Sequence, residues 1–320
     1  MSSNLLKPRQ LKNADKIALI PLASPVEKKI FRAGLKYIQK MGFKSSIAID
    51  PTIKSYKHLF SCESAKKRTL VLHKLFKDKK INAVLSVRGG YGSAQMLPHL
   101  DWSLIRKHPK IFMGFSDLTA LLVNIYQRSG LCVIHAPSLV TYGAKAQAGN
   151  IKALKSTETL SSLLKGEIIN PFRGYKLELL TKQAVKNFTP APLTGGNLAI
   201  LTSLLGTIWD ANFDNRIVFL EEVGEAPYRV HRMLMQLKLA GKFKRVKALV
   251  LGDFIDHREH VDRKQPGYED VFLDIFKDCD FPILRGLPVG HGDLNLPVPL
   301  GGKARINKNQ LEIIESAVIS

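Results

Sequence analysis

The chain has 320 residues, 45% hydrophobic and 23% charged, which is the balance of a globular protein with room for two domain cores. No apolar run approaches the roughly 20 residues that span a bilayer, and the polar, basic start MSSNLLKPRQLKNADK lacks a signal-peptide core, so a cytoplasmic protein with no membrane partner is expected. The net charge of +21 favours anionic ligands, but the 48 Lys and Arg are spread along the chain and form no zinc-finger or aromatic–basic signature, so nucleic acid is not expected as a partner.

Residues 16–135 alternate short apolar runs with amphipathic stretches. Strands are predicted over Lys16–Leu22, Ser45–Ile49, Asn82–Val87, Lys110–Phe115 and Leu131–Ile134, and helices over Val26–Met41, Ser64–Lys77 and Leu118–Gln127. This alternation implies βαβ units and a parallel sheet with right-handed crossovers. Three strand ends, Ser24-Pro25, Arg88-Gly89-Gly90-Tyr91-Gly92 and Ser116-Asp117, would then fall along one carboxyl edge, where open α/β sheets place ligands.

Periodicity weakens over 144–190. The predicted organisation is therefore an α/β domain over 1–145, an interdomain connection over 146–190, and a second domain over 191–320. In the last of these, a short helix (Leu198–Leu205), a strand (Arg216–Leu220), a helix (Tyr228–Leu239) and a strand (Val246–Leu251) precede a Gly- and Pro-rich tail. Alternating runs flank the turn Asn307-Lys308-Asn309. A small, mostly antiparallel second domain is expected.

The three cysteines, Cys62, Cys132 and Cys279, are too sparse for a disulfide framework or a zinc site. Ser116 stands where an apolar strand turns into a helix. A serine there either caps the helix or, at an elbow-like corner, acts as a nucleophile. The glycine loop 88–92 matches neither a P-loop nor G-x-G-x-x-G; it is a tight turn or a source of N–H donors for an oxyanion. Among the nine histidines, His291 is distinct because it sits in Gly290-His291-Gly292 after an apolar segment. His135, at a strand end, suits packing or hydrogen bonding near the site. His257 and His260 share a loop with Asp256, Glu259 and Asp262, read as a solvated loop rather than a metal site. Glu221 ends an apolar strand and is either the carboxylate that orients a histidine or part of an ion pair with Arg229 or Arg232.

Taken in order, Ser24-Pro25, RGGYGSAQMLPHLD (88–101), GFSDLTALL (114–122), HAP (135–137), LTGGNLAILTSLLGT (193–207), LEEVGEAPYRVHRMLMQL (220–237) and PVGHGDLNLPVPLG (288–301) resemble the LD-carboxypeptidase family of serine peptidases. That family includes muramoyltetrapeptide carboxypeptidase and the microcin C immunity peptidase. The resemblance covers about residues 15–302. It implies a flavodoxin-like parallel-sheet N-terminal domain with a smaller β-rich C-terminal domain, and frequently a homodimer. It implies Ser116 as nucleophile, Glu221 as orienter and His291 as base, with oxyanion donors from Gly89, Gly90 and Asp117. Two departures are Pro-Leu-Ala-Ser-Pro in place of Ala-Pro-Ser after the first strand, and Ala136 where glycine is usual.

The expected reaction is release of the terminal D-alanine from murein tetrapeptides in peptidoglycan recycling, with no cofactor and no metal. Arg88, Tyr91 and Arg229 are candidates for substrate contacts. Two alternatives are a serine peptidase acting on another acyl amide, such as a peptide-nucleotide antibiotic, and a basic, non-catalytic binding module.

Overall fold

The computed structural model describes residues 5–52, 58, 60–141, 149–180, 188–256 and 266–320. Strands β1 (Lys16–Ile20), β2 (Lys44–Ile47), β3 (Ala83–Ser86), β4 (Ile111–Gly114) and β5 (Val133–His135) run parallel in the order β2-β1-β3-β4-β5. This is the flavodoxin-like order, whose switch point lies between β1 and β3. Strands β3 and β4, fully buried, and β1, buried except at Lys16, are near-continuous apolar runs because helices cover both faces.

Helix α1 (Lys28–Lys40) packs on one face. Helices α2 (Ala65–Lys77), α3 (Trp102–Lys107) and α4 (Thr119–Ser129) pack on the other. Ser64 caps α2 through Lys67 N–H, and Asp101 caps α3 through Leu104 N–H. Gly130, at φ 74°, ends α4 in the left-handed conformation.

The expected connection is more ordered than its sequence suggested. Helix α5 (Ile151–Leu164) is capped by Asn150 and buries Leu160, Leu163 and Leu164 beside α1 in the core of the first sheet. Its apolar spacing is helical, but Ser and Thr dilute it. The short strand β6 (Glu178–Leu179) follows.

The second sheet corrects the antiparallel expectation. Strands β7 (Ala191–Asn197), β8 (Ile217–Val223), β9 (Ala248–Ile255) and β10 (Ile283–Arg285) are parallel neighbours. Helix α6 (Leu198–Ser203) follows β7, α7 (Pro227–Leu239) joins β8 to β9, and α8 (Tyr268–Phe276) lies between β9 and β10. A strand–helix–strand crossover of this length forces parallel pairing. Antiparallel pairing is confined to β6 on β10 and to the hairpin of β12 (Lys303–Asn307) and β13 (Gln310–Ile313), which adds to β7. Strand β11 (Val298–Leu300) crosses back to pair antiparallel with β5.

Helix α4 lies between the sheets, and one apolar cluster runs through both. Polar ties accompany it. Gln127 and Asn212 exchange two hydrogen bonds of 2.9 Å, and Asn124 Nδ2 donates to Trp209 O at 3.1 Å. The Arg128 guanidinium stacks at 4.4 Å on Trp209 and 5.7 Å on Trp102. Among the described residues no helix is long and apolar enough to cross a membrane.

Candidate active site

Strand β4 ends at Gly114, Phe115 is extended, and Ser116 follows at φ 62°. A non-glycine residue there is held about 1–3 kcal/mol above relaxed backbone. A 3-10 turn (Ser116–Leu118) leads into α4, and the Ser116 side chain caps neither element. The capping alternative therefore fails. Instead, Ser116 Oγ lies 3.1 Å from His291 Nε2, and His291 Nδ1 lies 2.7 Å from Glu221 Oε2. Three residues distant in sequence form one hydrogen-bonded chain.

Glu221 is fully buried near the end of β8, and alternation sends its neighbour Glu222 the other way. Glu222 accepts from Asn197 Nδ2 at 3.0 Å and from Ala199 N–H at 2.7 Å, fixing the start of α6. The register shift between Leu220 and Glu222 marks the point where β8 leaves regular pairing.

His291 stands on a turn held from both sides. Gly290 N–H donates to Asn295 Oδ1 at 3.2 Å, and Gly292 N–H donates to Asp253 Oδ2 at 2.9 Å. Gly290, at φ 132°, adopts a backbone conformation strained for other residues, and a Cβ there would also crowd Glu221 Oε2 at 3.1 Å. Phe115 covers the His291 ring at a centroid distance of 4.8 Å.

The glycine loop borders the same serine. A Cβ on Gly89 would stand 3.2 Å from Ser116 Oγ, and one on Gly90 (φ 102°) would meet Ser24 Oγ at 2.5 Å. Ser24 pins the loop by donating its N–H to Gly89 O at 3.2 Å and accepting Tyr91 N–H at 3.1 Å. The N–H groups of Gly89, Gly90 and Asp117 have no acceptor among the described residues. All lie at carboxyl ends of β3 and β4, beside the switch point.

His135 is fully buried between Phe115 (5.8 Å) and Phe219 (5.1 Å), and neither ring nitrogen has a partner among the described residues. It packs edge-on against both rings. Burial pushes its pKa down to about 4, against the opposing pull of Glu221. Arg88 Nη1 donates to Pro25 O at 2.9 Å on the exposed side of the loop. Tyr91 is 53% exposed and meets Phe60 edge-on at 5.4 Å. Arg229, on α7, pairs with Glu225 at 3.4 Å and Tyr228 at 3.2 Å and makes no contact with the Ser116–His291–Glu221 chain. The loop holding His257, Glu259, His260 and Asp262 lies outside the described residues. The cysteines are unpaired thiols, and burial raises Cys62 to about 11 and Cys132 to about 12.

Two family models match the chain. The LD-carboxypeptidase N-terminal domain matches residues 17–136, and the LD-carboxypeptidase C-terminal domain matches residues 191–306. The chain belongs to the LD-carboxypeptidase family. It is 32% identical over 319 residues to the "Probable murein peptide carboxypeptidase" of Bacillus subtilis (strain 168), covering 98% of this chain and 95% of that one. It is 30% identical over 303 residues to the murein tetrapeptide carboxypeptidase of Pseudomonas aeruginosa, covering 92% and 94%. Among solved structures, microcin C7 self-immunity protein MccF superposes with a TM-score of 0.83 at 23% identity, over 98% of this chain and all of that one (100%). The latter likeness shows the shared two-domain fold. Family membership makes this chain a serine-type carboxypeptidase.

Sequence reasoning missed several residues that shape this LD-carboxypeptidase site. Asp253, Asn295 and Ser93 carried no local signal. Arg68 follows Lys66 and Lys67 in sequence, a charge run of the kind that marks a solvated face, yet it is fully buried. Its spacing from Leu72 and Phe76, four and eight positions on, places it on the inner face of α2.

Proposed function

We propose that this protein releases the terminal D-alanine from murein tetrapeptides, with Ser116 as nucleophile, His291 as general base and Glu221 as its orienter. The observation that carries this reading is the hydrogen-bonded chain from Glu221 Oε2 through His291 to Ser116 Oγ, on a serine held at positive φ. His291 Nε2 takes the Ser116 proton as Oγ attacks the carbonyl of the L,D peptide bond. The unused N–H groups of Gly89, Gly90 and Asp117 supply the donors that stabilise the resulting oxyanion. His291 then protonates the departing D-alanine amine, and with His291 again as base, water cleaves the acyl-enzyme. Glu221 holds the imidazole tautomer and stabilises the imidazolium. Every step uses protein groups and water.

Relatives named for murein peptides match at 32% and 30% identity, whereas the Escherichia coli MccF sequence matches at 27%. This favours the murein substrate over a peptide-nucleotide amide. Arg88 and Tyr91, exposed on the glycine loop, and Arg229 are the proposed contacts for the substrate's carboxylates and side chains. The place in peptidoglycan recycling and the homodimer rest on the family resemblance; the homodimer and a cytoplasmic location complete the same reading. Fractionation and velocity sedimentation test the last two.

The decisive assay is D-alanine release from free tetrapeptide by purified protein. Ser116→Ala is expected to lower kcat by at least about 10⁴-fold while leaving tetrapeptide binding intact. Full activity in that variant would sink the mechanism. Turnover of aspartyl sulfamoyl adenosine but not tetrapeptide would shift the substrate to the other branch. Binding without any turnover would favour the non-catalytic module.

A further inference from the structure

Arg68 heads the large, fully buried side chains of the protein. A buried cation ordinarily needs a carboxylate partner, yet among the described residues Arg68 forms no ion pair. Its donors go to main-chain carbonyls and one amide. Nη1 donates to Leu22 O and to Gly92 O (3.1 Å), Nε to Glu63 O (3.0 Å), and Nη2 to Gln95 Oε1 (3.1 Å). Leu22 lies just beyond β1 and Gly92 beyond β3, so one guanidinium joins the two strand ends that flank the switch point. Gly92, at φ 115°, adopts a backbone conformation strained for other residues, and a Cβ there would also meet Ser61 Oγ at 2.3 Å.

The opposite side of that loop is tied to the residue after the serine. Asp117 accepts Ser93 N–H at its carboxylate (2.9 Å) and the Ser93 hydroxyl at its carbonyl (2.5 Å). The peptide unit between Gly92 and Ser93 is therefore gripped at its oxygen by Arg68 and at its nitrogen by Asp117. Two residues upstream, Gly90 carries one of the unused N–H groups, and Asp117 itself carries another.

We infer that Arg68 is a positioning residue for the hydrolytic reaction: through Gly92 O it fixes the glycine loop against the Ser116–Asp117 corner, so that the Gly90 and Asp117 N–H groups converge on one oxyanion. The inference rests on the proposed function above. Arg, not Lys, is required because only a planar fork reaches several acceptors in fixed directions at once.

The test compares wild type with Arg68→Gln, Arg68→Lys and Gln95→Leu, the last an exposed anchor whose loss leaves the core intact. Each is assayed for tetrapeptide turnover, tripeptide product binding and affinity for a peptidyl boronic acid, whose adduct on Ser116 is a tetrahedral boronate with an oxygen in the oxyanion position. Both Arg68 variants are expected to lose about 10²-fold in kcat, the scale of a misplaced catalytic geometry. Boronate affinity should fall in parallel, while KM and tripeptide binding hold; Gln95→Leu should show a smaller loss of the same kind. A purely structural arginine would instead lower the melting temperature without separating boronate from tripeptide affinity. Full kcat in Arg68→Lys would overturn the inference, as would equal losses in both affinities; if the Arg68 variants do not fold, wild-type kcat and boronate affinity in Gln95→Leu overturn it. Wild-type protein that neither turns over tetrapeptide nor binds boronate at Ser116 would defeat the underlying reading instead.

Discussion

At the scale of single residues, the informative side chains are those whose surroundings oppose their usual state. Ser116 adopts a backbone conformation that serine avoids, and Glu221 is a carboxylate without solvent. His135 is an imidazole held neutral by burial, with a pKa near 4. An unfolded histidine has a pKa of about 6.5. Between those values the unfolded chain binds a proton that the native state refuses, so native stability falls as pH drops through this window. The expected loss by pH 4 is roughly 3 kcal/mol. Urea unfolding at pH 7, 5.5 and 4.5 measures it, and His135→Phe should flatten the dependence by about one proton. An unchanged slope in that variant would show that His135 protonates freely in the native protein.

At the scale of elements, short turns decide where chemistry can occur. The Gly-His-Gly turn mounts His291, whose side chain is 19% exposed and covered by Phe115. The sequence did not disclose how little room it has, with Asp253 on β9 and Glu221 on β8 pressing against Gly290. Gly290→Ala combines a Cβ 3.0 Å from Asp253 Cβ with a φ of 132°. It should destabilise the protein by about 1–3 kcal/mol. It should also lower kcat more than it raises KM, because the displaced atom is the Glu221 oxygen that holds His291. Thermal melts with steady-state kinetics separate the two effects, and wild-type kcat would refute the second. The strand ends carrying Ser24, Gly89 and Ser116 were legible because apolar runs stopping at Gly, Ser and Pro are local signals. Helix α5 was not, because its Ser and Thr content masks its apolar stripe.

At the scale of the whole molecule, the site depends on the contact between two sheets. Ser116 comes from the first, while Glu221 and His291 come from the second and the segment after it. Helix α4 joins the sheets through buried apolar packing, the Gln127–Asn212 pair and the Trp102–Arg128–Trp209 stack. Asn197, which pairs in register with Glu221, donates its N–H to Thr119 Oγ1 at 3.0 Å, three residues beyond the serine. Arg128→Ala removes the stack and a bond to Ile208 O. A loss of about 2 kcal/mol is expected. It should appear as a lower urea midpoint, read by fluorescence of the chain's two tryptophans. An unchanged midpoint would mean that the stack contributes nothing to the joint.

The amino-acid sequence alone determined the βαβ alternation of the first domain, the glycine loop, the serine corner and, through motifs in a fixed order, the family. These depend on periodicity and turn chemistry within a few residues of one another. Tertiary structure decided that the second sheet is mainly parallel, that Glu222, beside Glu221, anchors the start of α6, and that Arg68 is an internal clamp. It also brought together Ser116 and His291, which are 175 residues apart. Such pairings follow from strand register and the packing of one sheet on another, and no local pattern encodes those distances.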